Sequence, residues 1–141
     1  MIDNDNWKAG YDLMVRMMGP EFAKTMEANV TSGRFAADVG RMAVEHAFGA
    51  VWSRPGLDLK VRSIVVISSL IALRQTEELR NHLRFGLNNG LTADELQEVI
   101  IQTVPYVGFP AVSSALAVAV EVLRERGLDD GVKTAAETGL L

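Results

Sequence analysis

The chain has 141 residues and a mass of 15.4 kDa, enough for one domain with a buried core. Its 48% apolar and 23% charged residues are those of a globular protein, and a net charge of −4 argues against binding phosphate backbones or anionic membranes. Cysteine is absent, which excludes disulfides, thiolate metal sites, iron–sulfur clusters and thiol-based peroxidase chemistry.

The opening residues 1–6 are acidic and polar, unlike a secretory signal. Asp5 or Asn6 is predicted to cap a first helix that runs through Met18 and is closed by Gly19-Pro20. After the break at Thr31-Ser32-Gly33, a second helix is predicted over residues 35–48. Residues 52–58 read as a turn, and Asp58 as the cap of a helix over 59–73. Thr76 is the expected cap of the next helix, ending at Asn88-Asn89-Gly90, where left-handed dihedrals are accepted. Thr92 and Glu95 have capping-box spacing and open a helix that meets Pro105. A last helix is predicted over residues 109–126, followed by a small-residue tail expected to fray beyond Asp129.

No β-type alternation persists. The strand-like run 63–67 continues in the same character to Arg74, past strand length. The expected architecture is a single all-α domain over 1–141 with six or so helices. Residues 64–73 and 107–120 are apolar, yet each falls short of the ~20 residues of a spanning helix. They are read as buried helices, with no membrane partner and a cytoplasmic location expected. Residues 112–120 show no solvated face, so that helix is predicted to be buried all round, partly between subunits of an oligomer.

Each of the two histidines has its own setting. On a helical projection Leu79, Leu83, Gly86 and Leu87 form one stripe, and His82 falls within it. Glu78, one turn earlier, sits at the stripe's edge beside Phe85, whereas Glu77, Arg80, Asn81 and Arg84 point away. Facing a cavity, such a carboxylate–imidazole pair can move a proton; facing a core, the histidine simply hydrogen-bonds its neighbour. One histidine and one glutamate are too few to hold a metal. His46 has only the adjacent Glu45 and reads as a partly exposed residue late in a helix, where it suits the dipole. Arg62 in a first helical turn opposes the helix dipole, which fits either a bound carboxylate or an internal pair with Glu78 or Glu98. Nucleotide-binding, nucleophile-elbow and zincin motifs are absent, and scattered basic residues form no nucleic-acid stripe.

Several segments fall in register with one family. They are Trp52-Ser53-Arg54-Pro55-Gly56-Leu57-Asp58, Arg62-Ser63, Glu78-Leu79-Arg80-Asn81-His82, Asn88-Asn89-Gly90-Leu91-Thr92, Glu98-Val99-Ile100-Ile101-Gln102-Thr103 and Tyr106-Val107-Gly108-Phe109-Pro110-Ala111. Over residues 45–125 the chain resembles the carboxymuconolactone decarboxylase family, in its γ-carboxymuconolactone decarboxylase branch. The resemblance implies an alkylhydroperoxidase D-like helical fold and a homo-oligomer, a hexamer built as a trimer of dimers. Peroxidase relatives carry a Cys-x-x-Cys ahead of the histidine; here those places fall on Gln75 and Glu78.

The resemblance further implies a cofactor-free lyase acting on a small carboxylated lactone or similar acid. His82 is the expected proton donor and Glu78 the group that orients and charges it. Arg62, Tyr106, Trp52 and Phe85 are the expected substrate-binding residues, and no metal or cofactor is expected. An isomerase or cyclase using the same pair, or a non-catalytic small-acid-binding protein, remains an alternative on this fold. Phe85-Gly86, Pro105, Val107 and His46 depart from the usual family pattern around the expected pocket and leave the substrate open.

Overall fold

The structure, a computed structural model, describes residues 4–139, and the first three residues of the polar opening segment lie outside it. Among the described residues every regular element is helical. The elements group into two compact units, Met1–Asp58 and Leu59–Leu141.

The first unit contains α1 (Asp5–Met18), α2 (Pro20–Val30), α3 (Ala37–Met42) and a π-helix (Ala43–Trp52). The α1 cap is Asn4, just ahead of the predicted Asp5 or Asn6; its Oδ1 accepts from the Trp7 amide at 2.6 Å. Helix α2 was not anticipated, although Pro20 occupies the first helical turn, where its missing N–H costs nothing. The helix predicted from Phe35 starts two residues later, because Ala36 takes a left-handed φ of 63°. It then widens into the π-helix, where the Ser53 amide donates five residues back to the Phe48 carbonyl at 3.0 Å. Trp7, Met14, Ala23, Val30 and Val44 make the core of this unit. Glycine is required where α1 meets the π-helix. A Cβ on Gly10 would collide with the Val44 carbonyl oxygen, and one on Gly49 with that of Asn6.

The second unit contains α4 (Leu59–Leu73), α5 (Thr76–Asn88), α6 (Ala93–Val107) and α7 (Phe109–Glu125). Ile67, Ile71, Leu79, Leu83, Leu96, Ile100, Ala115 and Val122 pack at its centre. Thr92 and Glu95 form the predicted capping box, with bonds of 3.1 and 3.0 Å. Lys60 ties α4 to that box through Glu95 at 2.6 Å. Thr76 is not the α5 cap. Gln75 takes that position without a side-chain bond, and Thr76 is the first helical residue. Helix α6 runs through Pro105 to Val107, and Pro105 and Ile101, whose carbonyl the proline cannot bond, are both exposed residues. Helix α7 is only partly covered by the chain itself. Val112, Ala115, Val118, Ala119 and Val120 are buried, but Ser113, Ser114 and Leu116 are exposed within the chain. No described helix is long and apolar enough to cross a membrane.

Within residues 129–139 the tail, expected to fray, is tied back to α7. Arg124 grips Glu137 through two bonds of 2.7 and 2.9 Å and donates to the Val132 carbonyl at 2.8 Å. Thr134 and Glu137 cap each other's amides, and the Arg124 hydrogen bond first, with the Thr134 amide second, holds the Glu137 carboxyl down at about 2. A carboxyl held that low supports the folded tail above its unfolded range near 4.5, and the support is lost as pH falls toward 2. Glu137→Gln is therefore expected to speed amide exchange across residues 129–139 at neutral pH and to leave α5 protection unchanged. Equal exchange in variant and parent would show that this grip does not hold the tail.

Candidate functional site

Helices α4 and α5 form a hairpin joined through Arg74, whose φ of 57° makes the tight reversal. Three flanks of α5 have separate duties. Leu79, Leu83 and Gly86 enter the core. Arg80 and Arg84, expected to point away from it, instead reach α7: Arg80 bonds Glu121, and Arg84 holds Glu125 through bonds of 3.0 and 2.8 Å. These contacts raise both guanidinium pKa values, first through the carboxylate hydrogen bonds, and lower that of Glu125. The signal was present as matched i,i+4 charge pairs, Arg80/Arg84 and Glu121/Glu125, on two helices. The third flank carries His82 and Phe85.

His82 is half-buried, with its Nδ1 atom shielded from solvent. Phe85 is 8% exposed and meets the imidazole edge-on, with ring centroids 5.0 Å apart and planes at 73°. Burial lowers the His82 pKa below its usual 6.5, so the free protein holds a neutral imidazole at pH 7. The expected pairing with Glu78 is corrected. Glu78 is exposed, and its carboxylate takes part in no hydrogen bond or ion pair among the described residues. Position 78 lies on the outer edge of the apolar stripe, where water outcompetes the neighbouring ring. Glu77 pairs loosely with Arg80 at 3.7 Å, as a surface carboxylate should.

Arg62 is partly buried in the first turn of α4, with Nε shielded from solvent. Its neighbour Ser63 is wholly buried and lies against α5. Tyr106 is 81% exposed near the end of α6. Trp52 is buried in the first unit, with its ring 6.0 Å from Phe48. His46, also in the first unit, is exposed. Among the described residues no group of three His, Asp or Glu is arranged to hold a metal ion. What the second unit presents is a half-buried imidazole with a phenyl ring against it, and a guanidinium with a shielded Nε on the partner helix of the hairpin. Sequence reasoning missed Ser63 and Asn89, which join the two helices of that hairpin by a bond of 2.9 Å.

An all-helical unit with a half-buried histidine and no cysteine fits a lyase better than a thiol peroxidase. The model of the carboxymuconolactone decarboxylase family matches residues 37–121, and the chain belongs to that family. It is 38% identical to 4-carboxymuconolactone decarboxylase of Acinetobacter baylyi, across 91% of this chain and 94% of that protein. It is 31% identical to the nitrosuccinic acid decarboxylase npaB of Metarhizium robertsii, across 77% of this chain and 75% of that protein. A further match, 34% identical over 58% of the chain, is an uncharacterized 15.0 kDa protein of Paracoccus denitrificans. These relatives place the protein among the carboxy-lyases.

Proposed function

We propose that the protein is a cofactor-free decarboxylase of a small acid resembling 4-carboxymuconolactone, with His82 handling the proton. The desolvated imidazole, the one ionisable group on its flank of α5 with a shielded ring nitrogen, carries the reading. Both named decarboxylase relatives support the substrate class: each name describes an acid bearing a carboxyl group and an electron-withdrawing function. In the proposed reaction Arg62 grips a substrate carboxylate in a bidentate fork. The C–C bond to the departing carboxylate breaks, carbon dioxide leaves, and the electron pair moves into the conjugated lactone. A proton from the His82 imidazolium then goes to carbon, and the neutral imidazole recovers its proton from water. Because the free imidazole is neutral, the substrate's negative charge must first raise its pKa, so substrate binding takes up a proton. Glu78 contributes from the solvent side through its charge alone, and Phe85 keeps water off the ring. Tyr106 enters this reading as a wall of the substrate site. Incubation with 4-carboxymuconolactone, following carbon dioxide release and the ultraviolet change, tests the reading; no turnover would refute it.

The family match crosses the boundary between the two compact units, which supports one functional domain over 1–141. A homo-oligomer, a hexamer built as a trimer of dimers, belongs to the same proposal. Val61 and Val65 on α4, Ile101 and Tyr106 on α6, and Phe109 on α7 are large apolar residues at the chain's surface. Light scattering is expected to give a particle several times 15.4 kDa, and a monomer at micromolar concentration would overturn this.

A further inference from the structure

We propose that Asn89 is a positioning residue: with Ser63 it forms a clasp that fixes the His82 flank of α5 against the start of α4. The inference rests on the proposed role of His82 and adds two residues to it.

Ser63 is wholly buried, and its hydroxyl accepts a hydrogen bond from Asn89 Nδ2 at 2.9 Å. Thr103, the other buried polar side chain among the described residues, spends its hydroxyl on the Ile100 carbonyl of its own helix. The Ser63 bond instead crosses between two helices. Asn89 is itself immobilised by the way α5 ends. The Gly90 amide donates to the Leu87 carbonyl at 3.2 Å and the Leu91 amide to that of Gly86 at 2.9 Å, with a Gly90 φ of 100°. The Asn89 amide bonds Phe85 at 2.8 Å, so the backbone is held and the side chain has one direction to go.

The helices meet at a glycine beside this bond. A Cβ on Gly86 would stand 2.8 Å from Leu91 Cδ1, 3.1 Å from Ile67 Cδ1 and 3.6 Å from Ser63 Cβ. Packing thus sets the α4–α5 distance, and the clasp sets how far one helix has slid along the other. Asn89 and His82 are seven residues apart, two turns, so they share a flank of α5, with Phe85 between them. Ser63 directly follows Arg62. A slide that pulls Asn89 off Ser63 therefore moves the imidazole relative to the guanidinium by a similar distance. It also strands a buried hydroxyl, so the clasp resists such a slide.

The test combines Ser63→Ala, Asn89→Ala, their double variant and the conservative Asn89→Asp, which still accepts a bond from the serine hydroxyl. Imidazole NMR resonances of His82 are read with exposed His46, in the other unit, as internal reference, and kcat and KM are measured on 4-carboxymuconolactone. Each alanine variant is expected to displace the His82 resonances and leave those of His46 in place. Turnover should fall between about tenfold and a hundredfold with KM near the parent value, as for a modest misplacement of a reacting group. The double variant should be no worse than either single one, and Asn89→Asp should recover most of the loss. Unmoved His82 resonances in folded Asn89→Ala, or losses that simply add, would overturn the clasp. If Asn89→Ala does not fold, Asn89→Ser, too short to reach across, replaces it with the same expected readings. A parent protein inactive on 4-carboxymuconolactone would sink the substrate reading, while the resonances still decide the clasp.

Discussion

Replacing His82 with glutamine is expected to remove about a hundredfold to ten-thousandfold of turnover while substrate still binds. Glutamine keeps the volume and a hydrogen-bonding end but has no proton to exchange near neutral pH. Binding of a substrate anion to the parent should be accompanied by proton uptake, visible as a calorimetric enthalpy that varies with buffer ionisation, and His82→Gln should lose that dependence. Stability gives an independent reading. A histidine whose folded pKa is depressed by burial binds its proton more readily when unfolded. The parent should therefore lose stability as pH falls through 6.5 toward the folded value, and His82→Gln should lose less over the same interval. Glu78→Gln is expected to cost only severalfold, because an exposed carboxylate acts through screened charge. Arg62→Lys should weaken binding before it slows turnover, since an ammonium cannot copy the guanidinium fork. An active His82→Gln protein that merely melts differently would end the catalytic reading.

The sequence carried most of the second unit, because its helices obey the period and the caps that sequence patterns report. Residues 59–73 and the box at Thr92 and Glu95 stand where the pattern put them. The first unit was less legible, for two physical reasons. Bonding five residues back lengthens the side-chain period of the π-helix beyond 3.6, so its apolar residues no longer line up on an α-helical projection. Helix α2 starts at the proline that closes its predecessor, and a break and a start read alike when they share a residue. The tail misled because small residues imply fraying only when nothing long-range holds them, and Arg124 does. Within the candidate site, the half-buried setting of His82 is legible by period, since a histidine among leucines is visible on a helical wheel. Glu78 was misjudged because a residue at the stripe's edge can turn either way. Asn89 and Ser63 stand 26 residues apart with nothing in either sequence to show that they meet.

Gly49→Ala should be among the most destabilising single substitutions in the first unit, although helix propensity alone predicts the reverse. Alanine is preferred to glycine inside a helix by about 1 kcal/mol. Against that stands a collision with backbone: a Cβ at Gly49 would strike the Asn6 carbonyl oxygen, lie 2.7 Å from its carbonyl carbon and 3.1 Å from its Cα. None of these atoms can rotate aside as a long side chain would, so α1 must lift away from the π-helix and open the packing of Trp7 and Val44. Overpacking of this kind costs typically 1–3 kcal/mol and more where backbone must move, so a net loss of at least about 2 kcal/mol is expected. In a chain of this length that lowers the melting temperature by roughly 5 °C or more. Gly10 faces the same contact from the other helix, meeting the Val44 carbonyl oxygen and the Gly49 amide nitrogen. Gly10→Ala should match the effect, and the double variant should cost less than the sum, because one separation makes room for both methyl groups. Gly56→Ala serves as the control: nothing lies within 4 Å of a Cβ there, so stability should stay within about 0.5 kcal/mol of the parent. Thermal melts of the four variants measure this directly, and a Gly49→Ala protein melting with the parent would mean that α1 does not rest on the π-helix at backbone distance.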